Sequence, residues 1–431
     1  MTRLIMKGRR SSAVAGGLGA SLALAAIAAG GATAAPTPKP STRASTAPVA
    51  CPTEEGVSPS SITLGFFSPK TGPAAANFVG GEEAARLRVA QENAKGGING
   101  RKLVLIGYDD QASASAQLTQ ATKALQSDHV FGITMTSAND AAFPTFKANN
   151  VPVTGFNVLA MSTDRNAFSV TGPPAPGIIS TAVYERLKQN GVTKVALIAH
   201  NTPSAASGMS NTSKAIGPSG TGLQQALLIT DEPQGAHDAT STALRVKNSG
   251  ADGAYMSMFV DGVVSIAQAL SQQGVKLKGS VGAGVIDPVV IAKAAGPLEG
   301  MIGTTYGTVP AGVPGNSAVR TFINGMKAAG LNPYNATAPV GYAAMDLMIE
   351  GLKRAGKCPT RQGFIDNLRK VTAFDAHGLV PEKISFGPGV TPMGSPAKCS
   401  WYITIKNGQP VPDPKPTCGK LVNTVTGQVV G

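Results

Sequence analysis

The sequence predicts an α/β protein built as two lobes. Three observations carry this expectation. From Ile62 onward, short apolar runs alternate with stretches of helical spacing, the pattern of βαβ units around parallel sheets. The alternation restarts near residue 178. The chain of 431 residues is also too long for one ordinary core once its N-terminal segments are set aside.

The first series opens with an apolar run from Ile62 to Phe67, ended by Ser68-Pro69. Helical spacing of Ala84, Leu87, Val89 and Ala90 follows, up to a Gly96-Gly97 stop. Then come a run over 103–106, a helix near 114–125, a run over 130–133, a helix over 138–148 and Val151-Pro152-Val153. In the second series a helix at 178–190 precedes a buried strand at 195–198. Segments at 223–229, 236–248, 253–258, 263–273 and 278–285 continue the alternation. The character changes near 300–308, and two long helical stretches, 317–329 and 338–355, predict a return to the first lobe. A terminal strand at 401–405 precedes a Pro-rich tail. The expected division is 61–171 with 304–375 for lobe one, 172–303 with 376–408 for lobe two, and 409–431 as a tail. Loops at the carboxyl ends of both parallel sheets would face one cleft, and the connections would let it close on a ligand.

The N-terminus reads as an export signal. Arg3, Lys7, Arg9 and Arg10 precede a charge-free stretch with an apolar centre at Leu22 to Ile27, ending in Ala32-Thr33-Ala34. This is a basic region, an apolar region and a small-x-small cleavage site. The centre is too rich in Ala and Gly, and too short, for a membrane span. Cleavage is expected near Ala34, with residues 35–60 as a Pro/Ser/Thr-rich tether. The mature protein is expected outside the cytoplasm, periplasmic or at the cell surface. Cys51, Cys358, Cys399 and Cys418 then read as two disulfides. Of the three possible pairings, Cys358 with Cys399 and Cys51 with Cys418 is the expectation, stapling a helix end to the last strand and the N-terminus to the tail. Lipid modification of Cys51 is the lesser reading, because the apolar region lies far upstream.

The formal net charge is +13. Residues 1–48 contribute six of the basic residues, the last two being Lys39 and Arg43, and no acidic ones, which leaves +7. Charged residues are sparse and unclustered, so no basic stripe with aromatics marks a nucleic-acid surface. The four histidines, His129, His200, His237 and His377, form no Ser-His-acid constellation that sequence reveals. Only His200, at a strand end, could point into the cleft. Gly282-Ala283-Gly284 lacks the third glycine of a dinucleotide site, and no metal-ligand spacing occurs. The expectation is a binding protein and not an enzyme, with no catalytic residues, cofactor or metal.

Three motifs in order carry a family resemblance. They are the strand from Ile62 with its Thr71-Gly72-Pro73 loop, the turn Gly96-Gly97-Ile98-Asn99-Gly100 after Glu92-Asn93, and Tyr108-Asp109-Asp110. This stretch resembles the branched-chain amino-acid-binding proteins of ABC transporters, and the likeness runs from residue 62 to 408. It implies a type I periplasmic-binding fold, two Rossmann-like lobes joined by three hinge crossings. It also implies a monomer that captures a small solute and hands it to a membrane permease driven by ATPase subunits. A sensor of the same fold acting with a separate membrane partner is the alternative, and an exported hydrolase a more distant one.

Carried over position by position, the resemblance implies ligand contacts at Asn77 and Phe78 in the first loop. Thr136 and Ser137, expected before a helix start that favours an anion, would receive a carboxylate. Phe156 and Asn157 fall in the second carboxylate loop, and Phe259 stands as an aromatic wall. The family's loop after the first strand of lobe two brings a Tyr before a Gly, but Asn201 to Gly208 contains no aromatic. The position near Gly284 is acidic in amino-acid binders. Only Asp287, three residues on, could replace that carboxylate as a ligand contact, although an Asp before Pro288 is more often a cap or turn residue.

Overall fold

The computed structural model describes residues 51–72, 74–137, 139–155, 164–171, 177–390 and 394–431. Strand β1 (Ser61–Ser68) carries Ile62, Leu64, Phe66 and Phe67, all fully buried. A strand covered on both faces needs such a run. It pairs in parallel with β2 (Lys102–Asp109) on one side and β3 (Gly132–Met135) on the other. Beyond β3 lie β4 (Val153–Gly155) and β5 (Ala167–Ser169), also parallel, giving the order β2-β1-β3-β4-β5. Helix α1 (Gly81–Ala94) covers one face, and α2 (Ala114–Gln126) and α3 (Phe143–Ala148) cover the other. Glu83 starts α1 by accepting a hydrogen bond from the Gly80 N–H, half of a capping box.

The second lobe begins with β6 (Ile178–Ser180) and α4 (Ala182–Gln189). Its sheet is then built from β7 (Lys194–His200), β8 (Gln224–Glu232), β9 (Gly253–Ser257), β10 (Gly279–Ala283) and β11 (Ile302–Thr304), all parallel. Helix α5 (Pro203–Ser219) lies with α4 on one face. Helices α6 (Thr240–Ser249), α7 (Val260–Gln272), α8 (Pro288–Lys293) and α9 (Ala295–Leu298) lie on the other. The chain then returns to the first lobe as α10 (Ser317–Ala328), α11 (Ala338–Ala355) and α12 (Arg361–Leu368), whose apolar residues share one core with β1 and α1. It finally re-enters the second lobe, where β12 (Cys399–Ser400) precedes β13 (Tyr402–Lys406), which runs antiparallel to β11 and forms a hairpin with β14 (Gln409–Pro412). The two-lobed α/β architecture with three crossings is thus observed.

Several boundaries differ from expectation. Ala376, Leu379, Val380, Ile384 and Phe386 belong to the first lobe's core. The third crossing therefore follows Phe386 instead of coming at 375/376. The last residues are not a loose tail, because β15 (Thr417–Cys418) pairs with β12 and β16 (Leu421–Asn423) pairs with β6. Residues 51–60, expected as tether, are tied down. Val57 packs on the first core, and the Glu54 carboxylate accepts from the Arg361 N–H.

The disulfides are Cys51–Cys358 and Cys399–Cys418, which corrects the expected pairing. Arg101 donates to the carbonyls of Ser58 and Lys357, so the N-terminal segment and the loop after α11 meet on one side chain. Cys399 stands opposite Cys418 in the β12–β15 ladder. The sequence offered neither the short ladder nor the Arg101 bridge as a signal. Non-reducing peptide mapping should recover these two linked pairs, and a Cys358–Cys399 peptide would contradict the fold near the third crossing.

A buried ion network joins α1 to α11. Arg88 donates to Asp346 at 2.7 Å and to Glu92 at 3.0 Å, and Lys353 reaches the other Glu92 oxygen at 2.7 Å. Removing one partner of a buried pair costs about 3–5 kcal/mol. Because Glu92 remains on Arg88, Asp346→Ala should lower the unfolding free energy by about 3 kcal/mol, near the low end of that range. Urea denaturation reads the loss directly.

Candidate functional site

The carboxyl ends of both sheets face each other, and the site is built from the loops that leave them. In the first lobe, the loop after β1 is moored by Asp109 at the end of β2. Its Oδ1 accepts from the N–H groups of Lys70 and Thr71, and its Oδ2 from the Thr71 hydroxyl at 2.6 Å. Although partial burial works the other way, these bonds hold the Asp109 carboxyl below its ordinary value. The Thr-Gly-Pro and Tyr-Asp-Asp motifs are therefore two halves of one anchor. It presents a 3-10 turn, Ala75–Asn77, and then Phe78 to the other lobe.

Asn77 and Phe78 make the join. The Val260 N–H at the start of α7 donates to Asn77 Oδ1 at 2.9 Å, across the lobes. The Asn77 Nδ2 group is buried and has no hydrogen-bond partner. Phe78 meets Phe259 edge to face, with ring centroids 5.7 Å apart. Phe259 in turn lies 4.8 Å from the His200 ring, and its N–H donates to His200 Nε2 at 2.6 Å.

Thr136 and Ser137, both fully buried, follow β3. The Thr136 hydroxyl has no hydrogen-bond partner and lies against Gly81 at the start of α1, where an added Cβ would come within 2.7 Å of it. Ser137 is used differently. Its Oγ accepts from the Asn139 N–H and bonds the Asp110 carboxyl, which burial pushes above its ordinary value despite these partners. The helix expected from residue 138 begins at Phe143 instead. The intervening N–H groups of Asn139, Ala141 and Ala142 go to Ser137, Asn139 and Gln117. An anion would thus meet hydroxyl and amide side chains here, not the N-terminus of the following helix. Phe156 and Asn157 lie outside the described residues.

On the second lobe, residues 203–208 form the first turns of α5, with Thr202 Oγ1 accepting from the Ala205 N–H. Gly284 has a φ of +72°, and a Cβ there would lie 2.8 Å from the Tyr306 hydroxyl. A phenol from the second crossing therefore fills the space beside this position. Burial pushes its pKa up to about 12, so it is neutral at physiological pH. Sequence reasoning missed Tyr306, because only the fold brings the crossing to the end of β10. Asp287 caps α8 by accepting from the Val289 N–H, and its other oxygen accepts from Asn332 at 3.0 Å and Asn335 at 3.3 Å. It is a cap and an interlobe latch at once.

Two cavities flank the second crossing. One, of about 260 Å³, is lined by Ile286, Pro288, Val309, Phe322, Tyr334 and Ile403. The other, of about 300 Å³, touches all three crossings through Thr171, Thr305, Gly307 and Trp401. Among the described residues no cluster of His, Cys, Asp and Glu could hold a metal, and no helix is long and apolar enough to cross a membrane.

The model of a family described as periplasmic binding protein matches residues 61–409. The chain belongs to this family. Solved structures agree on the fold. A branched-chain amino acid ABC transporter protein from Thermus thermophilus with bound valine superposes with a TM-score of 0.70 at 18% identity, covering 82% of this chain and 95% of that one. A fatty acid ABC transporter substrate-binding protein from Thermomonospora curvata gives 0.68 at 18% identity, covering 88% and 95%. An ABC transporter solute-binding protein from R. palustris in complex with benzoate gives 0.65 at 15%, covering 83% and 97%. A search of curated protein sequences finds no relative. As a periplasmic binding protein the chain is of an extracytoplasmic kind, and its two disulfides fit an oxidising compartment.

The latch can be tested without a ligand. Asp287→Ala removes the cap, worth about 1 kcal/mol, together with both bonds to the other lobe. A lower melting temperature and a larger radius of gyration by X-ray scattering are expected. An unchanged radius would show that the lobes do not depend on this contact.

Proposed function

We propose that the protein is the extracytoplasmic solute-binding component of an ABC transporter. It captures a small carboxylate-bearing or amide-type solute without an ammonium group between its lobes, and passes it to a membrane permease with ATPase subunits. The observation that carries this reading is a pair of buried polar groups without partners, Asn77 Nδ2 and Thr136 Oγ1. Orphaned buried groups cost about 1–3 kcal/mol each, and a ligand oxygen would satisfy them. An amide N–H can only donate, so it calls for an acceptor such as a carboxylate or amide oxygen.

The opposite side argues against an ammonium. Tyr306, neutral at physiological pH, stands beside Gly284, and Asp287 is consumed by its cap and its two asparagines. Phe78 and Phe259, with Phe156 as a further proposed wall, would take the apolar part of the solute. Ser137 and Asn157 belong to the same proposed pocket, and Asp287 enters it as a latch. The solutes named for the three structural neighbours, valine, a fatty acid and benzoate, all bear a carboxylate, and two of them lack an ammonium.

A thermal-shift panel tests this. A ligand at a hundred times its Kd adds about 2.7 kcal/mol of stability. Short-chain and aromatic acids and amides should raise the melting temperature more than leucine or valine does. Thr136→Ala and Asn77→Ala should each reduce the shift of the best acid. If leucine or valine gives the largest shift, the ammonium argument fails. If neither substitution changes binding of the best solute, the site assignment fails.

A further inference from the structure

His200 ends β7 and is almost fully buried. Its two ring nitrogens have partners that fix its proton. The Phe259 N–H lies 2.6 Å from Nε2, and a backbone amide can only donate, so Nε2 carries no proton. The Pro233 carbonyl lies 3.0 Å from Nδ1 and can only accept, so Nδ1 carries one. This arrangement fits the neutral Nδ1–H imidazole and no other state of the ring.

What that nitrogen holds is the start of α7. Phe259 is the N-cap residue and makes no side-chain cap of its own. His200 takes the Phe259 N–H, and Asn77 of the other lobe takes the next one, of Val260. Phe259 also touches both His200 and Phe78 with its ring. One histidine therefore holds the residue next to the one that bonds the first lobe.

We infer that His200 is a positioning residue whose neutral imidazole holds Phe259 and Val260 in the geometry that joins the lobes, so that its protonation releases the join. The inference rests on the reading that the interlobe cleft is the ligand site, but the contacts it invokes need no ligand.

The surroundings support it. A proton on Nε2 would point at the Phe259 N–H and at the positive end of α7. Burial lowers the His200 pKa, against the Pro233 and Glu232 carbonyls, and His237 adds to the lowering. The charges nearby are Glu232 on β8, His237 after it and Asp261 in the first turn of α7. The Glu232 carboxylate is already bonded to His237 at 2.8 Å and to the Thr242 hydroxyl. The sign follows. Above the ordinary imidazole pKa of about 6.5, open and joined forms bind no proton at His200 and the join is intact. As pH falls below that value, an open form in which the Phe259 bond is broken takes up a proton that the joined form excludes. The joined population then falls, by up to about tenfold per pH unit, until the depressed pKa is reached.

The experiment uses the purified chain without ligand. Long-range proton–nitrogen NMR of the four histidines, with His200 assigned from its absence in His200→Gln, should show the Nδ1–H tautomer at pH 7.5. X-ray scattering should give a radius of gyration that grows between pH 7.5 and 5. His200→Gln keeps an acceptor for the Phe259 N–H and does not titrate, so it should stay compact throughout. An Nε2–H tautomer, or a wild-type radius that tracks His200→Gln at every pH, overturns the inference. Failure of every solute in a thermal-shift panel would leave these results untouched, so the two readings fail separately.

Discussion

Gly341 of α11 lies against Gly81 of α1 with no side chain between their backbones. A Cβ on Gly341 would stand 2.1 Å from the Gly81 carbonyl oxygen, and one on Gly81 would stand 2.7 Å from the Thr136 hydroxyl. Three segments far apart in sequence meet at that point: the first helix, the loop after β3, and the helix that returns from the second lobe. The close approach brings Arg88 within reach of Asp346 and Glu92 within reach of Lys353. It also lets the Thr337 hydroxyl, just before α11, donate to the Val79 carbonyl. Since α11 is fixed there, the turn before it carries Asn332 and Asn335 to Asp287 on the other lobe. The contact that closes the first core thus also determines where the lobes touch.

The join itself is small. Its polar and aromatic contacts among the described residues include the Asn77–Val260 bond, the Asp287–Asn332–Asn335 latch and one edge-to-face aromatic pair. Each hydrogen bond is worth about 0.5–1.5 kcal/mol net, and an aromatic pair about the same beyond its burial. The sum of these contacts is a few kcal/mol. A ligand shifts an equilibrium only by its differential affinity for the two states. Moving a population from mostly open to mostly closed takes about 5.5 kcal/mol. A join of this size leaves most of that shift to the ligand, as a capture device requires.

The sequence revealed the scaffold well because the scaffold is periodic. The runs at Ile62, Leu103, Val195 and Val281 are buried strands, and the restart near residue 178 marks the second lobe. Local signals also sufficed for Asp287, whose place before Pro288 marks a cap. The pairing of Cys51 with Cys358 was not visible, because it depends on Arg101 gathering two segments that no pattern links. The helix after Ser137 was placed too early for a related reason. Asn139, Ala141 and Ala142 look like a helix start but spend their N–H groups on side chains. Tyr306 had no signal at all, since only the crossing brings it to Gly284.

The motif that resembles the family and the atoms that would choose a solute are different residues. Asp109 holds the Thr71 loop, Asp110 bonds Ser137 and Gln117, and the Tyr108 hydroxyl donates to Asp128. All three motif residues are spent on the scaffold, and none of that bonding involves a solute. The groups proposed for recognition include an amide on Asn77, a hydroxyl on Thr136 and the rings of Phe78 and Phe259, on loops that carry no periodic signal. The scaffold can stay constant while a change at Gly284 or Asn77 alters what fits between the lobes. A sequence can therefore disclose that a chain is a binding protein far more readily than what it binds. The first is written in the bonds that moor the loops, and the second in the few atoms those bonds leave free.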